Sequence, residues 1–375
     1  MPLISCPQFT DLDREIIDDF LECLQENVEA IEQCIEDLDQ EVSPELINHL
    51  FRDVHSLKGN CRMVFLEPMV DAVHALEEVV SDMRQEQRAY TPAYGEFFMA
   101  IVLRQRAAIL ELMQHGEVDD ANLTLMRELI ERVAASSDSN ARDVIDQAMD
   151  ELVGVRENDD GSSKPMVAQV DLATETKTGG GFNEDLDFFQ SLAVQMDMVN
   201  PYHHGRSAAL VDLCVATNAD LGYPVDEQQL KAAVYLHDIG MALVPAQIME
   251  KPGRLNPAET KVIQGHVEIG TQLLHRMPGW DGATEIVLQH HERFDGKGYP
   301  YGLSGEAINP GAQILALADT FYAITHVRAD RSTKKSLFGA MSLINGESGA
   351  QFDPKFVEAF NETIRHLYVS NKQAV

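Results

Sequence analysis

The sequence predicts an all-α fold of two helical domains joined by a linker. Apolar residues recur at three- and four-residue spacing from Thr10 to about Val133, a polar and glycine-rich stretch interrupts them over 137–182, and the periodicity returns from Phe182 onward. At 375 residues the chain also exceeds one average core. The first part reads as about five helices, over 11–40, 44–64, 67–87, 92–115 and 119–135. Ser43-Pro44-Glu45 and Thr91-Pro92-Ala93 each place a capping hydroxyl before a proline at the first helical position. Connections this short make consecutive helices antiparallel neighbours, which predicts a helical bundle over 1–136. Within 137–182, Ser136-Ser137-Asp138-Ser139, Asn158-Asp159-Asp160-Gly161 and Gly179-Gly180-Gly181 frame sparse hydrophobicity, so a flexible linker with one short helix at 141–153 is expected. A C-terminal helical domain follows over 183–375, broken by a Gly- and Pro-rich loop at 293–312.

The chain carries 29 Lys+Arg against 61 Asp+Glu, a formal net charge of -32. Acidity of this size excludes general charge attraction to a polyanion, so duplex nucleic acid is not expected as a partner and any nucleotide chemistry has to be local. With 45% hydrophobic and 24% charged residues, the composition is that of a chain that folds. No apolar run approaches the ~18 residues of a membrane helix, and Met1-Pro2-Leu3-Ile4-Ser5-Cys6 lacks the charged start of a signal peptide. The expectation is a cytoplasmic protein with no membrane segment. Five scattered cysteines without a CxxC pair fit reduced thiols. Eight of the 13 histidines fall between His203 and His326, and another group surrounds His55.

Around His55, the series Leu46, Leu50, Val54, Leu57, Cys61 marks a buried stripe that His55 points away from. Lys58 lies one helical turn on, Gly59 removes bulk beside the imidazole, and Arg52 and Arg62 flank the same surface. An imidazole nucleophile, an ammonium to balance phosphoryl charge and a glycine that lets a partner approach suit phosphoryl transfer. The segment His55-Ser56-Leu57-Lys58-Gly59, with the later Ala72-Val73-His74-Ala75-Leu76-Glu77, resembles the histidine phosphotransfer (HPt) domain over about 1–135. That resemblance implies phosphorylation at His55, supported by Lys58, Gly59 and a Glu77 that accepts a hydrogen bond from the histidine. With no kinase ATP-binding segment in this chain, the implied donor is a receiver-domain response regulator or a hybrid histidine kinase.

In the second half, His237-Asp238-Ile239-Gly240 follows the apolar run Ala232-Leu236, and His290-His291 follows Ile286-Val287-Leu288. Burying such pairs without a partner is costly, and a metal is the economical one. With His203, His266 and Asp319 the set is five histidines and two aspartates, enough for two ions at about four ligands each if Asp238 bridges. Nitrogen and oxygen ligands without thiolate favour iron or manganese, and paired ions suit phosphate-ester hydrolysis. Residues 183–368 look like an HD-GYP domain, the cyclic di-GMP phosphodiesterase branch of the HD hydrolases. The resemblance is carried by His203-His204-Gly205-Arg206, His237-Asp238-Ile239-Gly240, Lys251-Pro252-Gly253, His266, His290-His291-Glu292-Arg293-Phe294-Asp295-Gly296-Lys297-Gly298-Tyr299-Pro300, Asp319 and Gln351-Phe352-Asp353-Pro354. By resemblance, one ion takes His203, His237, Asp238 and Asp319 and the other Asp238, His266, His290 and His291. The implied catalytic set is Asp238, Lys251, Arg328 and Arg331, and Gly298, Tyr299 and Pro300 would shape the guanine pocket.

The sequence departs from the family at four places. Met241 stands where the family has a lysine, Gln313 where it has an arginine, Tyr322 where it has a second aspartate, and Val199 where three-metal members have a glutamate. Losing one preorganised cation can cost about 2–4 kcal/mol of transition-state stabilisation, so slow turnover is expected. The leading expectation is a phosphodiesterase that opens cyclic di-GMP to pGpG, with GMP as a further product left open, regulated through His55. The alternatives are a domain that binds nucleotide or protein without turnover, and a hydrolase of another cyclic dinucleotide. The linker admits either direct docking or a rearranged homodimer as the route of regulation.

Overall fold

The computed structural model describes residues 3–137, 140–154, 182–199, 205–249, 251, 253–326 and 335–370. In chain order these form β1 (Leu3–Ser5), α1 (Pro7–Thr10), α2 (Arg14–Gln40), α3 (Pro44–Met63), α4 (Glu67–Arg84), α5 (Pro92–His115), β2 (Glu117–Asp119), α6 (Asp120–Ala134) and α7 (Ala141–Gly154). Then follow α8 (Phe182–Val199), α9 (Arg206–Asp220), α10 (Glu227–Leu236), α11 (Ala246–Met249), α12 (Pro257–Gln264), α13 (His266–Leu274), α14 (Asp281–Gln289), α15 (Pro310–Thr325), α16 (Leu337–Gly346) and α17 (Pro354–Ile364). Among the described residues the fold is all-α apart from one short two-stranded sheet. Two compact units emerge: Met1–Asp171 with Leu337–Gly346 and Arg365–Val375, and Leu172–Ser336 with Glu347–Ile364.

In the first unit, α2 buries Ile16, Phe20, Leu24, Val28, Ile31, Ile35 and Leu38, the helical stripe the sequence predicts, and packs on α3 and α5. Ser43 caps α3 by accepting from Leu46 N at 3.2 Å, whereas the Thr91 side chain makes no capping bond to α5. Buried Arg88 closes the end of α6 by donating to Ala134 O at 2.6 Å and Ser136 O at 3.1 Å, so a cation meets carbonyls left over at a helix C-terminus. The helix expected at 141–153 is α7, packed on α5 and α6. The sequence reading missed the antiparallel pair β1–β2, with Ile4 opposite Val118, because three-residue strands are too short to show alternation.

A second difference concerns α16, which packs against α2 and α3. Phe338 meets Phe20 edge to face at 5.8 Å, Ser56 Oγ donates to Ser342 O at 3.1 Å, and Asn27 Nδ2 donates to Ser342 Oγ at 3.2 Å. Gly59 therefore does not open a partner's approach as the sequence suggested. It is buried, and a Cβ built there would lie 2.5 Å from Asn345 Nδ2, so the missing side chain makes room for α16.

In the second unit, Phe189 of α8 packs edge to face on Trp280 at 5.2 Å, and Trp280 Nε1 donates to Asp185 Oδ2 at 2.9 Å. Asp226 caps α10, Asn256 forms a capping box with Glu259 on α12, and Asn309 caps α15 ahead of Pro310. These caps fix where α10, α12 and α15 begin. Among the described residues no helix is long and apolar enough to cross a membrane.

Candidate metal centre and phosphoacceptor histidine

His237 is the C-cap of α10 and Asp238 follows it. His266 opens α13, His290 is the C-cap of α14 with His291 next, and Asp319 lies within α15. The Nδ1 atoms of His237, His266 and His290 lie 2.7, 2.6 and 2.7 Å from the carbonyl oxygens of Val234, Ile263 and Val287, each three residues back. A carbonyl can only accept, so Nδ1 carries the proton and Nε2 presents its lone pair inward. Asp238, His266, His290 and His291 offer ligand atoms that all lie within 4.8 Å of one another. Nε2 of His266 and of His290 is buried without a hydrogen-bond partner. Orphaned inward lone pairs beside a carboxylate are what a divalent cation would satisfy, so these residues fit one.

The electrostatics agree. Burial holds His290 well below the usual histidine range and His291 at about 4, so both stay neutral and able to ligate at neutral pH. Burial alone would raise Asp238, yet His237 and Arg206 keep it well below the usual carboxylate range. Asp319 is likewise lowered against its burial, chiefly by Arg206.

Of the residues the resemblance assigns to a first ion, the structure brings together His237, Asp238 and Asp319. His203 lies outside the described residues, as do Arg328 and Arg331. Sequence reasoning gave Arg206 no role, but its Nη2 lies 2.8 Å from Asp238 Oδ2, 2.6 Å from Asp319 Oδ1 and 3.0 Å from His237 Nε2. Lys251, expected beside the metals, is engaged by Glu259, to which its Nζ donates at 2.8 and 2.6 Å. Met241 is half-buried in a 3-10 turn, Gln313 Nε2 donates to Ile308 O at 3.3 Å, and Tyr322 stacks on His326 at 3.8 Å.

A cavity of about 500 Å³ opens beside this cluster, lined by His290, His291, Arg293, Lys297, Tyr299 and Asp319 among others. That volume is in the range of small-molecule sites. The Tyr299 ring stacks on His291 at 4.8 Å, and the Tyr299–Pro300 peptide is cis. A Cβ at Gly298 would lie 2.5 Å from Glu292 Cα and Arg293 N, so only glycine lets this loop lie against the His291 segment. Glu292, named in the sequence motif without a role of its own, accepts from Tyr301 N at 2.7 Å and Leu303 N at 3.0 Å and so ties the loop to the segment of the candidate ligands His290 and His291. Arg293 grips Asp295 through two contacts of 3.1 Å and donates to Gln351 Oε1 at 3.1 Å. Glycine and proline richness gave the loop away, but nothing in a linear pattern says which carboxylate would hold it.

In the first unit, His55 Nδ1 lies 2.5 Å from Glu77 Oε1, and Lys58 Nζ donates to Glu77 Oε2. His74 Nδ1 stands 3.4 Å from the same carboxylate. Burial would raise Glu77, but the hydrogen bond and charge of His55, with Lys58, hold it at about 2. An ionised Glu77 accepts a hydrogen bond from Nδ1–H, which leaves the ring's lone pair on Nε2. Phe51, stacked on His55 with the Arg84 guanidinium 3.9 Å from the Phe51 ring centre, was not anticipated.

Residues 15–152 match the Hpt domain family and residues 193–356 the HD domain family. A 3'3'-cGAMP-specific phosphodiesterase 1 of Vibrio cholerae is 34% identical over 171 residues, 44% of this chain and 39% of that protein. The cyclic di-GMP phosphodiesterase response regulator RpfG of Xanthomonas campestris is 38% identical over 201 residues, 52% of this chain and 53% of that protein. A cyclic di-GMP phosphodiesterase of Thermotoga maritima is 40% identical over 134 residues, 35% of this chain and 36% of that protein. The chain thus spans between about a third and about half the length of these relatives.

Proposed function

Because the chain joins an Hpt domain to an HD domain, we propose that it is a metal-dependent cyclic-dinucleotide phosphodiesterase controlled by phosphotransfer to His55. Cyclic di-GMP is the substrate, opened by water to linear pGpG. The observation that carries this reading is the convergence of Asp238, His266, His290 and His291, with Nε2 of His266 and His290 buried and unpartnered. Asp238 with His266, His290 and His291 would hold one divalent ion, and His237, Asp238 and Asp319 with His203 a second, iron or manganese by ligand type. Bound ions would supply a water ionised near neutral pH and charge to offset the phosphoryl oxygens.

The chain's own residues do the remaining work. Backbone carbonyls hold the Nδ1 protons of three ligand histidines, so the Nε2 lone pairs are fixed before substrate arrives. Tyr299 offers a flat apolar face beside His291 for a purine, and the exposed Lys297 brings an ammonium to the same cavity for a phosphate. Lys251, Arg328 and Arg331 complete the proposed phosphate contacts. On this reading the phosphotransfer portion covers 1–136, extended by α7, the metallohydrolase portion lies within 183–375, and the phosphoryl donor is a receiver-domain protein or hybrid histidine kinase.

The test is turnover of cyclic di-GMP by the manganese-loaded chain with the product identified. Linear pGpG from wild type and none from His290→Ala is expected, and identical behaviour of the two ends the enzyme reading. Names among the relatives favour a second reading, in which 3'3'-cGAMP is the better substrate, and a competition assay separates the two. For the first unit, phosphorylated receiver should label wild type and spare His55→Gln.

A further inference from the structure

The two halves of the metal centre are unlike. One presents four ligand atoms within 4.8 Å, and Nε2 of His266 and of His290 there is buried and unpartnered. In the other half each of the described residues His237, Asp238 and Asp319 already meets a cation. Arg206 Nη2 reaches Asp319 Oδ1 at 2.6 Å, Asp238 Oδ2 at 2.8 Å and His237 Nε2 at 3.0 Å, and its side chain is only 11% exposed. His237 Nδ1 is committed to Val234 O, so Nε2 is the one atom it could lend an ion. Asp238 divides its carboxylate, with Oδ1 3.5 Å from His266 Nε2 in the first half and Oδ2 on Arg206 in the second.

We propose that Arg206 is the resident cation of the Asp238–Asp319 half, so that one divalent ion binds tightly at Asp238, His266, His290 and His291 and a second enters only by displacing the guanidinium. A guanidinium has no lone pair to give a metal and does not lose its proton in proteins, so it cannot become a ligand. It competes for the same oxygens, and two cations packed this closely repel. Displacement also strands a buried charge that must find other acceptors. Loading is therefore ordered, and Arg206 sets the affinity gap between the two ions. This deepens the metallohydrolase reading and rests on it.

The experiment titrates Mn2+ into the metal-stripped chain, with metal content measured after desalting and the ion environment followed by electron paramagnetic resonance. Wild type should retain one ion with the resolved hyperfine signal of an isolated Mn2+, a second binding at least about tenfold more weakly. Arg206→Met should retain two ions, with a signal broadened by coupling, and Arg206→Lys, which keeps a cation, should retain one. Asp319→Asn should keep the tight ion. Two ions of equal affinity in wild type, or an Arg206→Met chain indistinguishable from it, overturns the proposal while leaving the phosphodiesterase reading standing. If Arg206→Met does not fold, Asp319→Asn decides, since loss of its tight ion would refute the assignment. A wild-type chain that retains no ion overturns both.

Discussion

At His55, one buried carboxylate serves three neighbours: Glu77 faces the imidazole, Lys58 and, more distantly, His74. Because Glu77 is held at about 2 rather than its ordinary 4.5, its pairing stabilises the folded state fully above about 4.5 and is lost as pH falls toward about 2. The shift corresponds to roughly 3 kcal/mol at most. The stability gap between wild type and Glu77→Gln, read by urea unfolding, should therefore be largest near neutral pH and close as pH drops from about 5 to about 2. A gap that does not change with pH would contradict the pairing. At the metal cluster, the three imidazoles held by backbone carbonyls imply a site organised before metal arrives. Chelation should strip the ion and abolish turnover while leaving the far-ultraviolet circular dichroism spectrum unchanged, unlike a zinc finger that unfolds without its metal.

At the scale of elements, Glu292 holds the Tyr299-Pro300 loop through two backbone amides. Hydrogen bonds to a charged group contribute about 1.5–3 kcal/mol, so Glu292→Gln should raise KM for the dinucleotide by about tenfold or more and leave metal content unchanged. Parallel loss of metal would mean that Glu292 acts on the cluster instead. The helices themselves were legible from apolar periodicity, with Ser43 announcing the start of α3 by ordinary capping chemistry, whereas the caps Asp226, Asn256 and Asn309 emerged only from the structure. That His266, His290 and His291 converge with Asp238 was legible too, since His-Asp and His-His pairs at apolar helix ends have few other uses. Arg206 and Gly59 were read as motif residues without their real neighbours. What each does depends on Asp319, more than a hundred residues on, or Asn345, nearly three hundred on, and local spacing cannot encode such partners.

For the whole molecule, the decisive feature is that α16 completes the core of the first unit from far along the chain. Phe338 is fully buried against Phe20, so Phe338→Ala should destabilise that unit by about 3–5 kcal/mol, and an unchanged urea midpoint would count against the packing. A fragment ending at residue 154 should bind a hydrophobic dye that the full chain excludes. The same helix imposes a timetable on synthesis. Between the end of α7 and the start of α16 lie about 180 residues, which at about 5–20 residues per second take roughly 10 to 40 s to translate. Throughout that interval the groove between α2 and α3 waits on the ribosome with Phe20 and Gly59 uncovered by Phe338 and Asn345. The nascent bundle must therefore be kept from its neighbours until the helix that seals it has been made.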